Sequence, residues 1–265
     1  DVANFKVGDR VIGSDRSGGF SDAINLSSSQ VKQIPGDLSY AKAATYSTAY
    51  LTAFVALTIR GSLQAGETLL VHGATGGVGM AAVDLGKFLD AKVIATGGTD
   101  EKLAVVKSRG ADHVINYTQP DGSLGGFRDQ VKELTQGNGA DVIYDPVGGS
   151  VFDESMRCIN WGGRILAIGF TSGVWPKAAV NHILIKQIAV IGVRAGEIGR
   201  RDPPLGHRCR QELYQLLTKG LIDPHVCAGF PLENAVTALK MLEQRKVVGK
   251  CVVTMNGYTV GSSSL

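Results

Sequence analysis

A doubly wound α/β fold, with helices on both faces of a parallel sheet, is predicted by three features of this 265-residue sequence. Short apolar runs alternate with longer amphipathic segments through the middle of the chain, the rhythm of strand, crossover helix and strand. A glycine-rich turn follows the first of those runs and opens the first helix. Hydrophobic residues make up 44% of the chain and charged ones 19%, enough apolar side chain to fill a core between layers.

The elements follow in order. Six strands are predicted at Thr68 to His72, Lys92 to Thr96, His113 to Ile115, Asp141 to Tyr144, Arg164 to Ile168 and Ile188 to Val193. Between them, helices are expected over Val78 to Leu89, Asp100 to Arg109, Phe127 to Thr135, Ser150 to Asn160 and Ala178 to Ile185. In the first of these, Val83, Leu85, Phe88 and Leu89 supply an apolar face for the sheet. The flanks read differently. Val7 to Gly13 is a turn feeding a strand, and residues 1–40 as a whole suggest small antiparallel structure without crossover helices. Pro35 to Ile59 opens on a turn and becomes an Ala-rich helix; near the other end, helices at Arg208 to Lys219 and Leu232 to Gln244 precede a strand at Gly249 to Met255.

Composition excludes several classes. A formal net charge of +3, spread along the chain, offers no basic patch for nucleic acid or a membrane surface. The uncharged run from Ala43 to Ile59 is too short and too polar to cross a bilayer. Cys158, Cys209, Cys227 and Cys251 lack the short spacings of a zinc ribbon or a redox pair, so buried reduced thiols are expected. No signal or transit peptide opens the chain; a cytoplasmic protein is expected, with a mitochondrial one left open because Asp1 is not an initiating residue.

The turn after the first strand carries the chemistry. In Gly73-Ala74-Thr75-Gly76-Gly77-Val78-Gly79, the residues Gly77, Gly79 and then Ala82 fit the Gly-x-Gly-x-x-Gly/Ala pattern of dinucleotide sites. Glycine there permits a tight turn, lets the backbone approach a pyrophosphate and lets the helix pack closely on the strand. The helix N-terminus then presents N–H groups and a positive dipole end to the phosphates. The second strand ends in Ala95-Thr96-Gly97-Gly98-Thr99, without the acid that commonly grips the ribose of NAD. Asp100 is the rival, but it sits in the first turn of the next helix, where the dipole already favours a carboxylate. Lys102 in that same turn faces the positive helix end unless an extra phosphate neutralises it, and Gly98 and Thr99 can donate N–H groups to one. These charges favour NADPH over NADH. Gly169-Phe170-Thr171 and Tyr144 to Gly149 end the fifth and fourth strands at the sheet edge where ligands sit.

Four ordered motifs together, Gly8-Asp9-Arg10-Val11, Ala74 to Gly79, Gly110 to Tyr117 and Gly162-Gly163-Arg164, resemble the zinc-free quinone oxidoreductase branch of the medium-chain dehydrogenase/reductase superfamily. The resemblance implies a Rossmann dinucleotide domain over residues 51–245 and a truncated GroES-like β domain from 1–50 plus 246–265. Such proteins run about 70 residues further at the N-terminus, in keeping with a normal two-domain size. It further implies NADPH-dependent reduction of quinones or activated alkenes in a homodimer paired through the sixth strand. Thr75, Gly76, Gly77, Val78 and Gly79 become the pyrophosphate turn, and Gly98, Lys102 and Tyr117 the adenosine-phosphate site. Phe170 and Thr171 become the nicotinamide loop, Val193, Arg194 and Ala195 the far side of the cleft, Thr52 a carboxamide contact and Arg245 a phosphate contact. The Gly-His-Glu and clustered cysteines of zinc-dependent relatives are missing, so no metal is expected. No residue declares itself as proton donor; Tyr46, Tyr50 and Thr52 are candidates by position alone. A cofactor-binding protein without turnover and an enoyl-thioester reductase are the rival readings.

Overall fold

The computed structural model describes residues 4–15 and 17–260. They form two units, one of Asp1–Ser47 with Asp223–Leu265 and one of Thr48–Ile222.

In the first unit, β1 (Val11–Gly13) pairs antiparallel with β2 (Val31–Gln33). The guanidinium of Arg10 lies 4.8 Å from the centre of the Tyr40 ring and donates to the carbonyl of Gly36 at 2.8 Å, tying the turn to the following helix. That helix, α1 (Tyr40–Phe54), begins only after the Pro35-Gly36-Asp37 turn, and carries the chain into the second unit. Its continuation, Val55–Arg60, widens into a π turn.

The second unit follows the predicted rhythm closely. Its elements are β3 (Thr68–Val71), α2 (Gly77–Phe88), β4 (Lys92–Gly97), α3 (Asp100–Ser108), β5 (His113–Asn116), α4 (Arg128–Leu134), β6 (Ala140–Asp145), α5 (Gly149–Cys158), β7 (Ile159–Ala167), α6 (Val180–Lys186), β8 (Ala189–Gly192), α7 (Ala195–Arg201) and α8 (Pro203–Thr218). The six strands β3 to β8 are parallel, in the order β5-β4-β3-β6-β7-β8. Strand order reverses at β3, and that switch point opens the crevice in which doubly wound sheets bind ligands. Leu70, Ile94, Ile115, Ile143 and Ile165 face Phe127 and Phe152 in one buried cluster. Chain order then returns to the first unit with β9 (Val226–Pro231), α9 (Ala235–Glu243) and β10 (Lys250–Thr254), where β9 and β10 pair in parallel across the helix.

Three departures from the sequence reading have local causes. β7 starts five residues early, because Asn160 to Gly163 loop out between the pairs Ala140–Ile159 and Val142–Arg164, with Gly162 at φ 72°. Helix α7 has no counterpart among the predicted helices. A side chain on Gly206 of α8 would start 2.4 Å from the Cα of Gly199, so the two helices cross backbone to backbone. Phe88, assigned to the core face of α2, is 40% exposed, and Met80, Ala82, Val83, Leu85 and Gly86 form that face. Asp90, two residues past α2, takes the left-handed φ of 58° that favours glycine.

His72, at the end of β3, is fully buried. Ser155 gives its hydroxyl proton to the Val151 carbonyl at 2.7 Å, so it accepts from Nε2 of His72 at 2.8 Å, and Thr96 donates to Nδ1 at 2.9 Å. Burial pushes the imidazole pKa down to about 3 from its ordinary 6.5. The unfolded chain therefore takes up a proton at this residue near pH 6.5, which the folded chain refuses until about pH 3. This contribution to stability is complete above 6.5 and is lost as pH falls, by up to about 1.4 kcal/mol per pH unit. Urea unfolding across that range should show the slope, and His72→Gln should remove one proton's worth of it; identical slopes in both proteins count against this assignment.

Candidate functional site

The glycine elbow forms where β3 hands over to α2. Gly73 takes φ 55°, and its carbonyl accepts from Gly76 N–H at 3.0 Å, closing the turn. A Cβ on Gly79 would start 2.3 Å from that carbonyl oxygen and 2.8 Å from the Cα of Ala74. Only glycine lets the first turn of α2 sit so close. No side chain caps α2 and its first turn has no acid, so the N–H groups of Gly77, Val78 and Gly79 point along the helix axis with no carboxylate of their own turn to meet. Close packing of helix on sheet, assigned from sequence to Ala82, is shared with Gly86, whose Cβ would meet Leu69 at 2.6 Å. Ala82 itself is fully buried.

The second strand ends beside the elbow. A Cβ on Gly97 would start 2.7 Å from the methyl of Thr75, a contact not foreseen from sequence. The loop that follows is held by a chain of bonds across β4 and β5. Thr118 donates from its hydroxyl to Gly98 at 2.8 Å and from its N–H to Asn116 at 3.0 Å, and Asn116 donates to Asp100 at 3.0 Å. Thr99 caps α3 by accepting from the N–H of Lys102 at 3.4 Å. Asp100 and Glu101 share that first turn with Lys102. The Glu101 carboxyl is held below its ordinary pKa by its own backbone N–H and by the Thr99 hydroxyl. Tyr117 is 6% exposed and its ring lies in the core cluster, 6.5 Å from that of His72.

Beyond β6 and β7, the two loops singled out in the sequence are brought together. Ile168, Thr171 and Ser172 donate backbone N–H groups to the carbonyls of Asp145, Pro146 and Val147 at 2.9, 3.0 and 3.0 Å. A Cβ on Gly148 would meet the Phe170 ring at 3.0 Å, and one on Gly149 the Ser172 hydroxyl at 3.0 Å. Asp145 is buried and one of its oxygens accepts from the N–H groups of Val147 and Gly148 at 2.8 and 2.9 Å. Burial raises its carboxyl pKa, and those two bonds pull the other way. The Asp-x-x-Gly spacing of an Asx turn was the available signal for this residue. Gly73 adjoins the same loop, with Val147 and Pro146 at 3.4 and 3.5 Å from where its Cβ would be. Elbow, Gly97 and both loops therefore share the carboxyl edge of one sheet.

The remaining sequence-assigned residues are placed as follows. Val193 and Ala195 are buried after β8, with Val193 N–H bonded to Ala167 at 3.0 Å. Arg194 between them is 84% exposed and faces Glu197 at 3.7 Å. Thr52 lies in α1, where its hydroxyl donates to Thr48 at 2.8 Å. Arg245 belongs to the first unit, two residues past α9, at φ 55°. Of the candidate proton donors, Tyr50 gives its hydroxyl proton to Asp84, which Arg109 grips with two bonds of 3.0 and 2.6 Å. Tyr46 is buried.

Among the described residues, no group of three or more His, Cys, Asp or Glu side chains could hold a metal ion. No helix among them is long and apolar enough to cross a membrane.

Comparison with known proteins places this geometry. Residues 77–217 match the zinc-binding dehydrogenase family. A quinone oxidoreductase-like protein 2 homolog from Nematostella vectensis is 36% identical over 255 residues, covering 95% of this chain and 68% of its own. The mycobacterial protein Rv1454c, solved in complex with NADPH, superposes with a TM-score of 0.83 at 29% identity, covering 94% of this chain and 75% of its own. The CurK enoyl reductase superposes equally, with a TM-score of 0.83 at 29% identity over 96% of this chain and 74% of its own. An oxidoreductase fold, its glycine elbow and these likenesses agree: the chain belongs to the zinc-binding dehydrogenase family, in the quinone oxidoreductase branch of the medium-chain dehydrogenase/reductase superfamily.

Proposed function

We propose that this chain binds NADPH along the carboxyl edge of the second unit's sheet and reduces a quinone or an activated alkene. The elbow carries the reading: a helix start with neither cap nor acid, pressed so close to its own turn that a Cβ at Gly79 would start 2.3 Å from the Gly73 carbonyl oxygen. That surface fits a pyrophosphate, which needs backbone N–H groups and room rather than side chains. When bound, the reduced nicotinamide supplies the hydride.

The chain's own residues bind and orient. Gly77 to Gly79 take the pyrophosphate, and Gly98, Thr99, Lys102 and Tyr117 the adenosine end. Phe170 and Thr171, held by the β6 loop, flank the nicotinamide together with Val193 to Ala195, while Thr52 is assigned a carboxamide contact by family resemblance. The choice of NADPH rests on Lys102. The rival acid, Asp100, is engaged by Asn116, and the similar mycobacterial protein was solved with NADPH. Likeness to an enoyl reductase supports a second reading, in which the alkene is an enoyl thioester. We also propose a homodimer joined at β8. This strand is one edge of the sheet, Val190 on it is exposed, and α6, which precedes it in the chain, exposes Val180, Leu184 and Ile185.

Three outcomes are expected. NADPH should quench or shift its fluorescence on binding, and an added ortho-quinone should then abolish absorbance at the nicotinamide band; binding without that loss favours a protein that holds the cofactor and does not turn over. Lys102→Ala should weaken NADPH about tenfold and leave NADH nearly unchanged, whereas Gly79→Ala, whose Cβ meets backbone, should displace the elbow, weaken both by about tenfold or more and lower the melting temperature. Equal affinity of the native chain for NADH and NADPH would overturn the role of Lys102. Sedimentation should give a dimer that Val190→Asp converts to a monomer; a native monomer removes the β8 interface.

A further inference from the structure

The four cysteines are all free thiols, and they divide into two kinds. Cys158 and Cys209 are buried, whereas Cys227 on β9 and Cys251 on β10 are half-buried on neighbouring strands of the first unit. Their relation depends on an irregularity in the pairing. Val226 is matched with Lys250 and Ala228 with Cys251, so β9 spends two residues where β10 spends one. Cys227 is the extra residue. A bulge of this type sets two residues of one strand against a single residue of the other, and here the two are Cys227 and Ala228, facing Cys251. The strands are drawn together at this point, since Lys250 N–H bonds to the His225 carbonyl at 3.1 Å and Val226 bridges Gly249.

Strand spacing of about 4.8 Å and an offset of about one residue put the two Cα atoms roughly 6 Å apart. Disulfides span roughly 4.4–6.8 Å between Cα atoms. Burial pushes the Cys251 thiol up, and the neighbouring Cys227 adds to that rise. Neither residue contributes to the proposed cofactor site.

We propose that Cys227 and Cys251 form a redox modification site, a dithiol that a low-molecular-weight disulfide such as oxidised glutathione closes into a cross-strand disulfide. Cys227 attacks as thiolate on one glutathione sulfur, forming a mixed disulfide and releasing one reduced glutathione. Cys251 then loses its proton and displaces the second glutathione, so two thiols are oxidised and one external disulfide is reduced to two thiols. The product ties together the roots of β9 and β10, the two strands that α9 connects.

The test uses the full chain. After incubation with oxidised glutathione, remaining thiols are alkylated and the protein is digested with trypsin. Two of the four thiols should disappear, the intact mass should fall by about 2 Da, and the tryptic peptide 220–240 should be joined to 251–265. Cys227→Ser should abolish the joined peptide while Cys158 and Cys209 stay alkylatable in denaturant. Separate glutathione adducts on Cys227 and Cys251, no oxidation at either, or a link through Cys158 or Cys209 would each refute the proposal.

Discussion

One contact sets the geometry of the candidate site: the carbonyl of Gly73 against the first turn of α2, with only hydrogen on Gly79 between them. Closing the turn through Gly76 N–H fixes the direction of that carbonyl. The helix can then start immediately above the switch point of the sheet. Because its N-terminus has neither cap nor acid, the macrodipole and the first-turn N–H groups are directed into the crevice, an arrangement that favours negative charge there.

Around that contact, main-chain and side-chain bonds together build the surroundings. The loops after β6 and β7 are joined by three main-chain bonds, and the buried carboxylate of Asp145 folds the first of them. On the other side, Thr118, Asn116 and Asp100 brace the loop carrying Gly98. Beneath the elbow, His72 is held neutral between two hydroxyls. Such bracing fixes the main chain at the carboxyl edge of the sheet and singles out no substrate of its own. This agrees with a family whose solved neighbours include both an NADPH complex and an enoyl reductase.

Much of the second unit was legible because its signals are local. Strand β3, the glycine run and α2 lie within about twenty consecutive residues, and period-2 and period-3.6 patterns separate strands from helices. What escaped needed partners distant in sequence. Gly97 reads as a strand-end glycine until Thr75 is set against it, and nothing local to Gly199 announces the approach of Gly206. Tyr50 is a proton-donor candidate by position until its hydroxyl is set against Asp84, which Arg109 also holds.

The sequence by itself determined the α/β class, the six strands and the elbow, because glycine placement and apolar periodicity act through neighbours a few residues apart. Tertiary structure alone decided which loops meet, which hydroxyls are already engaged and that Cys227 and Cys251 share a bulge despite a sequence separation of 24. Those outcomes depend on strand order and register, which are set by packing of the whole sheet rather than by any local run of residues.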